Sequence, residues 1–259
     1  MGPVRPKRDE SADLSLAGRA YNLAYWYSCR EGAGPPMADK RVERTKGYLR
    51  EALEELLREK PLERITVTEV LARAEVSKNA FYTHYGSLTA LVEDCYLHRL
   101  VYFCGTHKRR GDYATREEAI TETMEQRARL LYDFKRNPNL ARAVLTNVGT
   151  SPYFASCEAA EEELNVDHLV TEYGTGERVA DYLDDEDCAH FIASGYFAME
   201  RRWVRGGMVD DIERLVKAGA FLSLSCTAAM VGHRIEPEYK AAIEAWHFDP
   251  EAGESPTAF

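Results

Sequence analysis

Ile65-Thr-Val-Thr-Glu-Val-Leu-Ala-Arg-Ala-Glu-Val-Ser-Lys-Asn-Ala-Phe-Tyr-Thr-His-Tyr85 is the stretch that decides the fold. It holds two hydroxyl residues placed as helix N-caps, Thr66 and Ser77, whose side chains can accept the free amides of a first helical turn. Caps this close together allow two short helices and a tight turn, not one long helix. Val67, Val70, Leu71 and Ala74 share one face of the first helix; Val76, Ala80, Phe81 and Tyr85 share one face of the second. The opposite face carries Ser77, Lys78, Asn79, Tyr82 and Thr83, a set of donors, acceptors, one cation and one phenol on a helix slim enough to enter a DNA major groove.

Working outward toward the N-terminus, a helical pattern starts at Asp39, with Val42, Leu49, Ala52, Leu53, Leu56 and Leu57 on one face, and Pro61 ends it. Lys40, Arg41, Arg44, Lys46 and Arg50 crowd its start, where cations oppose the helix dipole. Two readings of that cluster stay open, phosphate contact and an ordinary solvated charged face. Three helices in about 50 residues, the last two a helix-turn-helix, make a compact DNA-binding module over residues 39–86.

From about Arg44 to Leu100 the chain resembles the N-terminal domain of the TetR family of bacterial transcriptional regulators. The residues that carry the likeness are Ile65-Thr-Val-Thr-Glu-Val-Leu-Ala-Arg-Ala74, Val76-Ser77, Phe81-Tyr-Thr-His-Tyr85, Leu88 and Leu91. The resemblance implies an all-α protein: a three-helix DNA-binding domain followed by a helical ligand-binding and dimerisation domain over residues 87–235. It implies phosphate contacts from Thr66, Thr68, Tyr82 and His84 and base reading by the helix from Ser77 to Thr83, Ala80 included, with Arg44 as a further DNA contact. Asn79 suits adenine and Lys78 suits guanine. Two departures stand out. Glu75 occupies the place of a common turn glycine, and Leu88 that of a lysine often found at the start of the fourth helix.

Beyond the module, helices are expected from Ser87 to about Phe103 and from Arg116 to Phe134, with a break at Asn137-Pro138-Asn139 before Leu140–Leu145. A long pair follows, Asp185–Arg205 ended by Gly206-Gly207, and Asp210–Met230. Segments such as Ser194-Gly-Tyr-Phe and Trp203-Val-Arg-Gly-Gly-Met208 resemble the closing helices of TetR-family ligand domains, which pair with those of a second subunit. A homodimer is therefore expected, with Phe197, Trp203, Leu215, Gly219, Leu222 and Cys226 at its interface, matching a palindromic double-stranded operator. Aromatic residues suggest a pocket for a small-molecule effector of unknown identity, with Tyr102, His107, Tyr132, Phe134, Phe154, Tyr173, Phe191 and Tyr196 as candidates.

Composition sets the outer bounds. The net charge of −10 is uneven, since residues 86–259 carry 18 Lys/Arg against 30 Asp/Glu. The DNA-binding segment is slightly basic on an acidic body. Six cysteines without a C-x-x-C pair suggest neither zinc nor a disulfide framework. Glu186 and His190 are four apart, but acids in a first helical turn complement the dipole without any metal. No catalytic motif, cofactor, membrane span or signal segment is expected, and the default location is cytoplasmic. Residues 1–38 read as an extension ending in Gly-Ala-Gly-Pro-Pro36, its first 36 residues being either a start-site artefact or a loosely attached arm; residues 236–259 read as a short helix and tail. The reading that follows is a TetR-like repressor released from DNA by an effector. The alternative is a helical ligand-binding or protein-interaction module with a degenerate DNA helix.

Overall fold

The computed structural model describes residues 40–104, 115–146, 182, 185–230, 234 and 237–250. These form nine α-helices and no strand among the described residues. The extension expected over residues 1–38 lies outside them.

The first helix, α1 (Lys40–Glu59), buries Leu49, Ala52, Leu53, Leu56 and Leu57, the stripe expected from its 3.6-residue period; Val42 stays only half-buried. A 3₁₀ turn at Leu62–Arg64 follows Pro61. Then α2 (Val67–Ala74) and α3 (Lys78–His84) fold against α1, driven by burial of Val70, Phe81 and Tyr85. The long α4 (Leu88–Cys104) starts under a cap in which the Ser87 hydroxyl accepts the Ala90 amide at 3.1 Å. Leu88 packs against the core, an apolar role in place of the phosphate contact a lysine would make.

The body is built on α5 (Arg116–Arg136), capped by Thr115, and α6 (Pro138–Thr146), whose first position is a proline that loses no useful donor there. Against them pack α7 (Asp185–Arg205) and α8 (Ile212–Met230), with α9 (Pro237–Ala245) lying over α5 and α8. Gly206 and Gly207 end α7 as expected; Gly207 takes φ 81° and the next residue, Met208, takes φ 59° while its amide donates back to the Trp203 carbonyl at 2.9 Å. Among the described residues no helix is long and apolar enough to cross a membrane.

Charged groups join the module to the body. Arg99 on α4, only 3% exposed, donates to Glu54 of α1 at 2.7 Å and to Asp133 of α5. A second cluster sets Arg50 of α1 2.8 Å from Asp94 of α4, which also accepts the Tyr85 hydroxyl at 2.6 Å. Burial alone would raise the Asp94 carboxyl, but Arg50, Lys46 and the Tyr85 hydroxyl outweigh it and hold it below its ordinary range. Arg127 of α5 pairs with Glu200 of α7 at 2.9 Å. The Asn139 side chain of α6 donates to the Leu57 carbonyl of α1 at 2.8 Å, closing the same junction.

Arg99→Met should leave Glu54 and Asp133 half-buried without their cation and lower stability by about 3–5 kcal/mol, read as a fall in the urea midpoint. His98, beside these clusters, is pushed down to about 4 by burial and by Arg50 and Arg99. The unfolded chain takes up that proton near pH 6.5, the folded chain only near 4, so the unfolded state binds more protons between those values. Stability should therefore be complete above pH 6.5 and fall as the pH drops toward 4, and His98→Gln should flatten that part of a urea-midpoint-against-pH curve.

Candidate nucleic-acid interface

The helix-turn-helix is fixed by its caps. Thr66 forms a complete capping box: its hydroxyl accepts the Glu69 amide at 3.3 Å and donates to the Glu69 carboxylate at 2.9 Å, and its own amide donates to that carboxylate at 2.9 Å. Hydrogen bonds from Lys60 first, then from Thr66, hold the Glu69 carboxyl down to about 2. Thr66 thus spends its hydroxyl and amide hydrogens inside the box. The Ser77 hydroxyl accepts the Ala80 amide at 3.2 Å. Between the helices Glu75 stands in the left-handed region at φ 55°, ψ 35°, its amide bonded to the Leu71 carbonyl. A non-glycine residue pays a Cβ clash with the following carbonyl oxygen there, so the substituted turn glycine leaves a strained position.

That turn sets the faces of α3. Phe81 is buried and Ala80 half-buried, while Ser77, Lys78, Asn79, Tyr82 and Thr83 are exposed together. Tyr82 is 51% exposed and meets Phe81 edge-on at 5.2 Å; the Lys78 ammonium sits 6.0 Å from the Tyr82 ring centre. The Thr83 hydroxyl donates to the Asn79 carbonyl at 2.9 Å, which leaves its oxygen able to accept but not to donate. Lys78, Asn79 and Tyr82 therefore form the polar projection of the helix. Thr68 and Arg44 are exposed nearby in the chain, on α2 and α1.

His84 is half-buried, and burial together with the charge of Lys46 lowers its pKa. A neutral imidazole can still donate one hydrogen bond to a phosphate, but contributes no charge. The charge of Lys46 acting on His84 is what sequence reasoning missed. Lys46 was legible only as one of five basic residues at the start of α1, and its effect on the end of α3 depends on how the two helices cross. The ion pairs that hold α2 on α1 were missed as well: Arg73 bonds Glu55 at 3.0 Å and Glu59 at 2.9 Å.

The effector candidates do not gather around one space. Phe134 is fully buried, stacked on Tyr96 at 6.0 Å; Tyr132 is stacked on Phe248 at 5.1 Å. Tyr196 lies under the Arg127 guanidinium at 4.3 Å, Tyr102 is half-exposed, and Phe191 is 71% exposed. His107, Phe154 and Tyr173 lie outside the described residues. A cavity of ≈110 Å³ does occur at the junction of module and body, with Glu54, Arg58, Arg99 and Arg136 among its lining residues, and it includes none of these candidates.

The interface candidates need correction. Phe197, Trp203 and Leu215 are buried in the chain's own core, where Phe197 meets Tyr96 at 6.0 Å and the Trp203 indole donates to the Asp210 carbonyl at 3.1 Å. A second subunit cannot reach them. Gly219 is also internal, since a Cβ there would come within 2.5 Å of the Tyr196 ring. Leu222 is 58% exposed and Cys226 half-buried against Cys188. The outward positions are instead Phe191, Gly195 and Ala198 on α7, with Phe221, Leu222 and Ala229 on α8.

Residues 49–95 match the family model described as bacterial regulatory proteins, tetR family. That segment runs from the second half of α1 into α4, so the helix-turn-helix is of the tetR type. Solved structures with a similar chain course include the dihydroxyacetone kinase operon activator DhaS, 14% identical over 73% of this chain and 98% of its own, at a TM-score of 0.49. A TetR transcriptional regulator from Streptococcus agalactiae 2603V is 19% identical over 71% of this chain and 96% of its own, at 0.46. TylP, a tetR regulator from Streptomyces fradiae, is 17% identical over 79% and 90%, at 0.46. No match was found among curated proteins.

Glu75→Gly should relieve the left-handed strain and raise stability by about 0.5–1 kcal/mol in urea unfolding, the gain being reduced by the greater freedom of glycine in the unfolded chain. Thr66→Ala should cost about 1 kcal/mol in the same measurement.

Proposed function

We propose that this chain, whose helix-turn-helix is of the tetR type, is a transcriptional repressor that binds a palindromic operator as a homodimer and is released by a small-molecule effector. In this reading residues 39–86 form the DNA-binding domain and residues 87–235 the effector-binding and dimerisation domain. The observation that carries it is α3 itself: a capped helix whose apolar side is anchored by Phe81 while Lys78, Asn79 and Tyr82 project together into solvent. A side chain set of that kind offers base contacts from Lys78 and Asn79 and a phosphate contact from the Tyr82 hydroxyl.

Two-fold pairing has its own support. On α7, Phe191, Gly195, Ala198 and Arg202 recur at helical spacing on the exposed side; on α8, Leu222 and Ala229 do the same with Ser225 between them. Small residues between apolar ones let a second copy approach closely. Release by an effector would act through the junction, where Arg99 joins α1 of the module to α5 of the body, so a shift of α5 moves one module relative to the other.

Sequences selected from random DNA at low salt should contain an inverted repeat, and absence of any selected sequence with an intact dimer would refute the reading. Lys78→Ala should relax preference at one position of each half-site by about 1–3 kcal/mol, whereas Tyr82→Phe should weaken all sequences alike in gel-shift titrations. Leu222→Glu should yield a folded monomer in sedimentation, with operator affinity falling more than tenfold because the half-sites are then bound independently.

A further inference from the structure

Cys188 and Cys226 come from positions 38 residues apart, on α7 and α8, and their Sγ atoms stand 3.7 Å from each other in thiol hydrogen-bond contact, not joined as a disulfide. Cys226 was among the expected interface residues, but the operator-binding reading gives the thiol pair itself no role. We propose that they form an oxidisable dithiol, converted by a hydroperoxide into a disulfide that ties α7 to α8.

The placement supports each step. Cys226 is half-buried, so a molecule as small as hydrogen peroxide reaches it, while Cys188 is buried behind it in the first turns of α7. Attack of the Cys226 thiolate on a peroxide oxygen forms a sulfenic acid and expels hydroxide, which takes up the proton lost by the Cys226 thiol and leaves as water. The Cys188 thiolate then attacks that sulfur, forms the S–S bond and expels a second hydroxide, which takes up the proton lost by Cys188 and leaves as the second water. Two thiols are oxidised by two electrons and one peroxide is reduced. A disulfide needs about 2.05 Å between the sulfurs, so the gap must close by about 1.7 Å, within reach of side-chain rotation. Cys95 is a poor competitor, because complete burial pushes its thiol far up and shields it.

The test needs no DNA and is independent of the regulatory reading. Reduced full-length protein is treated with hydrogen peroxide, remaining thiols are alkylated, and non-reducing peptide mapping follows. The expected product is a peptide pair joined at positions 188 and 226, two hydrogens lighter than its parts, reversed by a thiol reductant, with a raised urea midpoint for the oxidised protein. Cys188→Ser should give no such pair and leave a sulfenic acid on Cys226 that dimedone traps; circular dichroism before oxidation reports that this variant is folded. Overoxidation of Cys226 in the unsubstituted chain with Cys188 still alkylatable, a link between two chains through Cys226, or two unreacted thiols would each overturn the proposal.

Discussion

A single buried guanidinium holds the two parts of this protein in register. Arg99 projects from α4 to bond Glu54 on α1 and Asp133 on α5, three elements from across the described chain. Taking three charges out of water is expensive, so the cluster's net contribution to stability is small next to the apolar core around it. Its effect lies in position: turning α4 would withdraw the Arg99 guanidinium from both carboxylates at once. The helix that follows the helix-turn-helix therefore cannot turn without breaking a charge pair.

The second cluster carries that constraint to α3. Asp94, one turn before His98 on α4, takes hydrogen bonds from Arg50 of α1 and from Tyr85 immediately after α3. The orientation of α3 is thus set from behind by Phe81 and Tyr85, and from its start by the Ser77 cap, leaving its outer face free of structural duties. Glu75 shows the local cost: the turn requires a left-handed residue, and the chain supplies it without glycine. The packing of α2 and α3 on α1 over-determines that conformation.

Legibility differed sharply between the two halves. Thr66, Ser77, Pro61 and Gly207 act within a turn or two of their own position, so the helix boundaries they set could be read directly. The outward set on α3 was equally readable, because a seven-residue helix with an aromatic anchor has only one face left to expose. In the body, Phe197, Trp203 and Leu215 looked like interface residues because aromatic and apolar side chains serve a core and an interface equally well. Composition cannot separate those uses. Nor does composition reveal that, among the effector candidates, Phe134 stacks on Tyr96 and Tyr132 on Phe248.

By itself, then, the sequence determined the all-α class, the helix-turn-helix and the identity of its exposed side chains, since capping and periodicity are properties of neighbouring residues. Only the tertiary structure decided that Glu75 takes the left-handed conformation, that the charge of Lys46 acts on His84, that Arg99 joins module to body, and that Cys188 faces Cys226. Each of these depends on how separate helices pack against one another, and that packing is settled by the whole core at once. The stretch from Ile65 to Tyr85 contains the exposed polar face of α3, the DNA reader we propose, while the residues that position it, Arg50, Asp94 and Arg99, lie outside that stretch.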